Sequence, residues 1–598
     1  MRGSNTKHPR TSRRPACERL EARTLCSADL TPYAIGTPNL TALWVDPIRG
    51  SDTDTGATRD HALHSLGEAW NRVPANITLT STGYAILLAS GDYSADLLPA
   101  NGWTSDRHGT YSRPVMIAAA DGVNTVRLHG DLNCQNDDYL YLVGLNFVTD
   151  PGASGGGNVL QLASDDHVLV AGCVLNGFNG TVRTAQETLK ANQCQYLYVE
   201  SCDIQGAFWF GLDFVAVQYG HVLANHIHST GDDGVVLKGG TANITVARNT
   251  VDNIGNIGLA AGQGTGFEFM AAPWIHYEAY DLKFIDNIVH DTQNAGMAVR
   301  GGYNILIADN TLYKVGQSAG PGSSLILLSP GGRTCDGDAA AATIRHNLGG
   351  WGPAAPGDGG EWIPNQNVTI ANNLFDNPAG FATMWDDLDI FAPITVPAYT
   401  NIPSPVLSDG NFVFTGNLIW NGSAVHPVFS SDAGREAVFR ASNTIGVFEP
   451  QLVNPSGGDF RPAAGGNLST MGSASVTDFL GNDRPLTPRP PLGDLSNAVL
   501  FDAISQARTL ANMPGAFILA GPRLFHRSRA SRSAYLGDLR TPPLILTPPD
   551  AVPPPTAIAP KPVPIVTHVH HARHNKESLP GVSLHRARPF SFLTRQKG

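Results

Sequence analysis

Between about residues 140 and 420 the chain repeats one pattern of apolar and polar positions. Each unit has a β-branched run, a turn residue that is most often asparagine, and a second run that begins with glycine and alternates in polarity. The shortest spacings between turn residues set a unit of 23–24 residues, and longer spacings are that unit plus insertions. A period in the twenties with strand-like alternation and no helical periodicity predicts a solenoid of stacked strands. The aligned turn positions are Leu145, Cys173, Cys202, Asn225, Asn249, Asn287, Asn310, Asn347, Asn373 and Asn417.

The repeated asparagine predicts a buried row that runs from coil to coil. Asparagine tolerates tight turns, and its side-chain amide can hydrogen-bond the equivalent amide on the next coil, roughly 4.8 Å away. Cys202, Cys173 and Leu145 continue the row towards the N-terminus. We therefore expect both thiols to be buried packing groups. The seven cysteines include no CxxC pair, which argues against a disulfide framework or a zinc site.

The two ends of the repeat resemble those of a known architecture. The stretch "LWVDPIRGSDTDTGATRDHALHSLGEAW" at 43–70 suggests a first strand, a turn and a short helix that would cover the open end of the stack. The stretch "FEPQLVNPSGGDFRPAAGGNLSTMGS" at 448–473 is similar to the usual C-terminal end of the same architecture. On these grounds 41–483 resembles the pectate-lyase-like superfamily of right-handed parallel β-helix proteins.

The resemblance implies an all-β, right-handed parallel β-helix of about ten to twelve coils with an N-terminal cap. It does not imply one activity, because the superfamily includes lyases, hydrolases, epimerases, esterases and non-catalytic surface proteins.

Both ends of the chain differ from the body in composition. Residues 1–40 are basic, and "LEARTLCSADL" resembles the LEPR-x-LL segment at the start of many exported bacterial proteins. Residues 484–598 are basic, proline-rich and contain a histidine cluster, so we expect them to be mostly disordered, with one possible helix over 494–520. We therefore expect a secreted or cell-surface bacterial protein, and a monomer.

The charge of the body narrows the choice of partners. Residues 31–522 contain 21 Lys and Arg against 45 Asp and Glu, which argues against nucleic acid as a partner. No stretch has 18 uninterrupted apolar residues, so we predict no transmembrane segment.

Strand alternation predicts a groove on one sheet. Because Leu212 and Phe214 and their equivalents are uniformly apolar and point inward, the residues between them point outward. This places Asp213, Lys238 and Arg300 on one outer face, and alignment of "ETLK" places Lys190 in the same row as Lys238. We interpret the face as a groove for an extended anionic polysaccharide; the alternative is ordinary solvated surface.

An inserted loop at 262–281 follows this face directly. Its side chains are predicted to bind substrate, or alternatively to pack the loop against the body. The candidates are Glu268, Trp274, His276 and Tyr277.

The sequence is consistent with three alternative functions. A lyase would use Lys238 as the base, Arg300 or Lys190 to bind the uronate carboxylate, and Asp213 in the catalytic cluster, with Ca²⁺ as a possible cofactor. The expected Ca²⁺ ligands are Asp213, Asp232 and Asp233. A hydrolase is suggested because "STGDDGVVLKGGTANITV" is similar to the aspartate segment of polygalacturonase-type glycosidases, although their Gly-His-Gly and Asn-Thr-Asp elements are missing. The third function is a non-catalytic surface adhesin or matrix protein.

Overall fold

Short strands with glycine and asparagine turns wind the chain into coils in the computed structural model. It describes residues 30–149, 157–318, 323–357, 361–380, 388–390, 401–402, 410–422, 433–508 and 513–518. Each coil passes through three long parallel sheets in turn, which we number in the order in which the chain visits them. The protein is a right-handed parallel β-helix, so the predicted fold class is confirmed.

The strands of each sheet stack in chain order. The first sheet contains Leu40–Val45, Gly83–Leu88, Val115–Ala119, Leu140–Val143, Asp166–Ala171, Gln195–Glu200, Gln218–Leu223, Thr241–Ala247, Ala279–Ile285, Gly302–Ala308, Gln366–Ala371 and Val413–Thr415. The second sheet contains Gly91–Tyr93, Val126–His129, Asn146–Val148, Val174–Asn176, Asp203–Gln205, His226–His228, Thr250–Ile254, Ile288–Thr292, Thr311–Tyr313, Leu374–Asp376, Leu418–Trp420 and Thr444–Ile445. The third sheet contains Trp103–Ser105, Leu132–Gln135, Leu160–Ala163, Leu189–Asn192, Leu212–Val215, Val235–Lys238, Leu259–Ala261, Met297–Arg300, Ile326–Ser329 and Leu388–Ile390.

The remaining elements lie at the ends and in insertions. The α-helices are Leu66–Arg72, Ala339–Asn347 and Ala433–Ser442. The 3₁₀ turns are Arg59–His61, Ala95–Leu97, Ala100–Gly102, Phe267–Phe269, Pro455–Gly457 and Asn467–Thr470. The accessory strands are Phe178–Asn179, Val182–Arg183, Gly264–Gly266, Gly331–Thr334, Glu361–Ile363, Leu452–Asn454 and Asp459–Pro462. None of the helices in the described ranges is both long and apolar enough to cross a bilayer.

The turn between the first and second sheets carries a hydrogen-bonded row of asparagines. The Asn249 side-chain amide donates to Asn287 Oδ1 at 3.0 Å, and the Asn249 backbone N–H donates to the same oxygen at 3.0 Å. Asn225 makes the same pair of bonds to Asn249. Towards the N-terminus, the Cys202 backbone N–H donates to Asn225 Oδ1. The thiols of Cys202 and Cys173 are fully buried and donate to backbone carbonyl oxygens.

The helix Leu66–Arg72 packs on the first strands of the stack. Its first turn is capped because Ser65 Oγ accepts a hydrogen bond from the Glu68 backbone N–H. Leu66 and Trp70 are buried against the core, so the helix covers apolar side chains at the start of the stack.

A C-terminal segment packs along the outside of the first sheet. Lys283 Nζ lies 2.5 Å from Asp494 Oδ2, and Arg508 pairs with Asp286 at 2.6 Å and Asp309 at 3.1 Å. The helix predicted over 494–520 is not formed by the described residues there, which are held instead by these polar contacts. The domain boundary at residue 484 stays a prediction.

Candidate functional site

The outer face of the third sheet carries the predicted cationic residues. Lys190 pairs in register with Asp213, which pairs with Val236, whereas Lys238 pairs with Val215. The row of Lys190 therefore lies two residues along the strand from the row of Lys238. The predicted alignment of Lys190 with Lys238 is wrong. The reason is local: Lys190 is the second residue of its strand, and Lys238 is the fourth residue of its strand.

Despite that shift, Lys190 and Lys238 meet at one carboxylate. The Lys190 ammonium group contacts Asp213 Oδ2, and Lys238 Nζ lies 3.4 Å from Asp213 Oδ1. Asp213 is fully buried beneath them, and Glu187 Oε1 lies 3.7 Å from Lys190 Nζ. Burial lowers the pKa of Lys190, but the charges of Asp213 and Glu187 outweigh it, so the pKa ends above its ordinary value.

Lys238 sits at the edge of this cluster, with 12% of its side chain exposed. Its ammonium group donates to Gln263 Oε1 at 2.9 Å and lies 4.9 Å from the centre of the Phe210 ring. The ring offers a cation its negative face. Lys238 is thus held in one position by a polar and an aromatic contact, with part of the side chain still open to solvent.

Arg300 occupies the position of Lys238 two coils further on, which is roughly 9–10 Å at the ordinary strand spacing. Its side chain is partly exposed. Within the described part of the chain, its guanidinium group forms no hydrogen bond and no ion pair. Val236, Ala260 and Ala298 form a buried apolar strip on the neighbouring outward row.

The three aspartates predicted to bind Ca²⁺ do not form a calcium site. Asp213 is buried and has both oxygens near ammonium groups, and Asp233 is fully buried with Oδ1 accepting from the Ile257 backbone N–H at 3.0 Å. Burial, followed by the charge of Asp232, raises the pKa of Asp233 to about 7. Across the described residues, three donor atoms of these side chains are not brought together. Ca²⁺ needs six to eight accessible oxygen ligands, so these residues do not fit it.

A buried ion pair beside Lys238 joins the inserted loop at 262–281 to the inserted segment that contains the strand Gly331–Thr334. Arg333 Nη2 donates to Glu278 Oε1 at 2.6 Å, and both side chains are fully buried. The other oxygen of Glu278 accepts from Thr265 Oγ1 at 2.6 Å and from the backbone N–H of Gly239 at 3.2 Å. Since Gly239 follows Lys238 directly, this pair fixes the loop wall against the end of the Lys238 strand.

The four loop residues predicted to bind substrate are buried in the packing of the insertions. Trp274 and Tyr277 belong to an apolar cluster with residues of the first sheet, and Glu268 Oε1 accepts from the Asp336 backbone N–H. Burial lowers the pKa of His276 to about 4, and its Nε2 lies 3.1 Å from the Gly349 carbonyl oxygen. Their role in substrate binding stays a prediction, and the described contacts give them a structural role.

The sequence analysis overlooked an exposed aromatic pair next to the cationic face. Phe208 and Trp209 lie in the turn that leads into the strand Leu212–Val215 and are 61% and 45% exposed. They line an open cleft together with Asp232 and the hairpin that contains Arg183. Three consecutive aromatic residues in a turn, "FWF" at 208–210, were the available signal.

Comparisons with known proteins agree with the fold. A family model described as "Right handed beta helix region" matches residues 189–347, which include Lys190, Lys238 and Arg300. No curated protein matches the chain.

Solved structures with a similar fold include pectate lyase Pel9A, at 13% identity over 81% of this chain and 98% of that chain, with a TM-score of 0.39. The PL6 family polysaccharide lyase Pedsa3628 from Pseudopedobacter saltans is 12% identical over 60% and 92% of the two chains, with a TM-score of 0.30. The A-module of the mannuronan C-5 epimerase AlgE4 from Azotobacter vinelandii is 16% identical over 50% and 82%, with a TM-score of 0.29. At these identities and TM-scores the likeness carries no argument about the activity of this chain.

Proposed function

We propose that the protein cleaves an anionic, uronate-containing polysaccharide by β-elimination on the outer face of the third sheet. Lys238 is the base, and Arg300 binds the carboxylate of the sugar that reacts. The observation that carries the proposal is the partly exposed Arg300 guanidinium, which has no ion pair among the described residues and lies in the row of Lys238. The charge of Arg300 does act on the buried Asp233, where it opposes the rise in the pKa of that carboxyl group. A partly exposed guanidinium without a direct ion pair on an acidic protein favours an anionic ligand.

The reaction requires one base and one neutralised carboxylate. Pairing of the uronate carboxylate with Arg300 makes the proton on C5 more acidic, and the neutral amine of Lys238 removes it. The electron pair of that C–H bond forms the C4–C5 double bond, the C4–O4 bond breaks, and the leaving oxygen takes a proton from water. The hydroxide ion that remains takes the proton held by Lys238, which restores the amine.

The surroundings suit an extended sugar chain. Phe208 and Trp209 offer exposed ring faces on which sugar rings can stack, one turn before the strand that carries Asp213. The insertion wall fixed by Glu278 bounds the face on the side of Gly239. We propose a secreted or cell-surface bacterial location, in keeping with the N-terminal resemblance, and a monomer.

The hydrolase alternative receives less support from the geometry. It needs two carboxyl groups that both reach the glycosidic bond, separated by enough room for a water molecule in an inverting enzyme. Asp213 and Asp233 are both fully buried, and Asp232 is the accessible member of the three. A non-catalytic binding protein would use the same cationic face without turnover.

The experiment incubates the full-length protein with a panel of uronate polymers, with and without Ca²⁺. Ultraviolet absorbance of an unsaturated product supports a lyase, reducing ends without that absorbance indicate a hydrolase, and retention without products indicates a binder. Lys238→Ala should lower turnover by roughly 10²–10⁴-fold, the usual contribution of a positioned base. Arg300→Ala should weaken substrate binding and reduce its dependence on salt.

The matched control is Lys314→Ala. Lys314 also lies over an aromatic ring, 5.1 Å from the centre of Tyr313, but it follows a strand of the second sheet. Equal activity of the Lys238 and Lys314 variants would exclude Lys238 as the base.

A further inference from the structure

The outer face of the second sheet holds a cluster of imidazole and carboxylate groups. Ile204, Ile227 and Val251 point inward and are fully buried, so the residues on either side of each point outward. Strand register places Asp203 beside His226, and His228 beside Asp252. Two histidines at positions i and i+2 of one strand thus face the same way, with a carboxylate on each neighbouring coil.

The side chains of this cluster converge. His228 Nε2 lies 2.9 Å from Asp203 Oδ1, and His226 Nε2 lies 2.6 Å from Asp252 Oδ1. The rings of His226 and His228 are stacked, with centres 4.1 Å apart and planes 17° from parallel. One possible ligand atom from each of Asp203, His226 and His228 lies within 4.8 Å of the other two.

We propose that Asp203, His226 and His228 bind a zinc ion. Two imidazoles and one carboxylate are a donor set that suits Zn²⁺, at distances of about 2.0–2.2 Å. Tetrahedral geometry at those distances puts donor atoms about 3.3 Å apart, so side-chain rotations of roughly 1 Å complete the site. The strands are fixed by the stacked coils, so the backbone is already in place.

The surrounding residues support the assignment. Asp252 holds one ring nitrogen of His226, as carboxylates commonly do beside metal-bound histidines. His290 Nε2 lies 3.9 Å from the same Asp252 carboxylate, on the next coil. The three proposed ligands are partly exposed, which leaves solvent access for the ion and for a water molecule in the fourth position.

The site is on a different sheet from the proposed reaction face, so the two proposals fail independently. A direct test measures Zn²⁺ binding to the full-length protein by calorimetry, with Ca²⁺ in excess to occupy any oxygen-only sites. The histidines of the basic tail are also potential Zn²⁺ ligands, so every arm carries glutamine at these positions, which are His568, His570, His571 and His574. We expect one equivalent of Zn²⁺ to bind, and Co²⁺ to give the visible absorption of a four-coordinate site.

Variants locate the ion. His226→Ala and His228→Ala should abolish this equivalent, and Asp252→Asn should weaken the binding by roughly 10–100-fold, as loss of an orienting carboxylate does. His290→Ala is the control on the same face and should keep the full stoichiometry. Asp203→Asn preserves the size of the side chain and should also abolish this equivalent. It replaces the histidine variants in the test if one of them does not fold.

Two results would overturn the proposal. One is the absence of stoichiometric Zn²⁺ uptake in the tail-substituted protein. The other is unchanged uptake in both the His226 variant and Asp203→Asn. In either case the cluster is a set of histidine–carboxylate ion pairs without a metal.

Discussion

Replacing Asn249 by alanine is expected to destabilise the β-helix from its centre. The side chain accepts from the backbone N–H and the amide of Asn225 and donates to the Val222 carbonyl and to Asn287 Oδ1. All of these bonds are buried, and 1% of Asn249 is exposed. Alanine would leave the Asn225 backbone N–H without its acceptor, and the Asn225 amide would keep only its bond to the Val199 carbonyl oxygen. It would also remove a donor from the Val222 carbonyl and from Asn287 Oδ1.

The size of the effect follows from these bonds. The orphaned N–H costs about 1–3 kcal/mol, and each further lost bond about 0.5–1.5 kcal/mol, so we expect a loss of about 2–4 kcal/mol after partial relaxation. Urea unfolding followed by circular dichroism measures it as a shift of the midpoint at an unchanged slope. An unchanged slope is required because long repeat arrays can lose two-state behaviour, and the midpoint then no longer measures the free energy of unfolding.

The matched control is Asn146→Ala. Asn146 begins the second-sheet strand next to the Leu145 turn and faces outward, and within the described chain it has no side-chain hydrogen bond. Its loss should cost no more than about 0.5 kcal/mol. If Asn249→Ala and Asn146→Ala have equal midpoints, the hydrogen bonds of the asparagine row do not stabilise the fold.

Two further predictions concern buried charge. Glu278→Gln leaves the Arg333 guanidinium buried without its charged partner and should lower the free energy of unfolding by about 3–5 kcal/mol. Arg127→Ala, which removes an exposed ion pair, is the control and should lower it by at most about 1 kcal/mol. Equal urea midpoints of the two variants would contradict this prediction. Burial raises the pKa of Asp137 to about 8. The folded state therefore keeps a proton that the unfolded state has lost above pH 4, and stability should fall on the order of 1–3 kcal/mol between pH 5 and pH 8. Asp137→Asn should lose less over that range, and identical pH profiles would refute the assignment.

Part of the candidate site was predictable from sequence because the repeat supplies a frame. Period-two alternation separates inward from outward residues, so Asp213, Lys238 and Arg300 were correctly placed on one face. The row of Lys190 was assigned wrongly because the insertion before its strand shifts the count from the preceding turn residue. Counting back from the following turn residue gives the observed pairing with Asp213. The approach of two ammonium groups to Asp213 depends on side-chain reach, which an alignment does not contain.

The fold class and most of the interior follow from the amino-acid pattern alone. Asn347 is an exception among the aligned turn residues, because it is exposed at the end of the helix Ala339–Asn347 and the Asn310 amide donates to Asn373 Oδ1 instead. The β-branched runs, glycines and turn asparagines act locally or between adjacent coils. The residues of each 23–24-residue unit are therefore enough to predict the course of its own coil. Which polar residues meet across coils or insertions depends on the folded structure. Arg333 reaches Glu278 across 55 residues, Arg508 reaches Asp286 across 222, and His226 approaches Asp252 through strand register. Such contacts depend on how long insertions pack and on which coil follows which, because stacking converts distant sequence positions into neighbours roughly 4.8 Å apart.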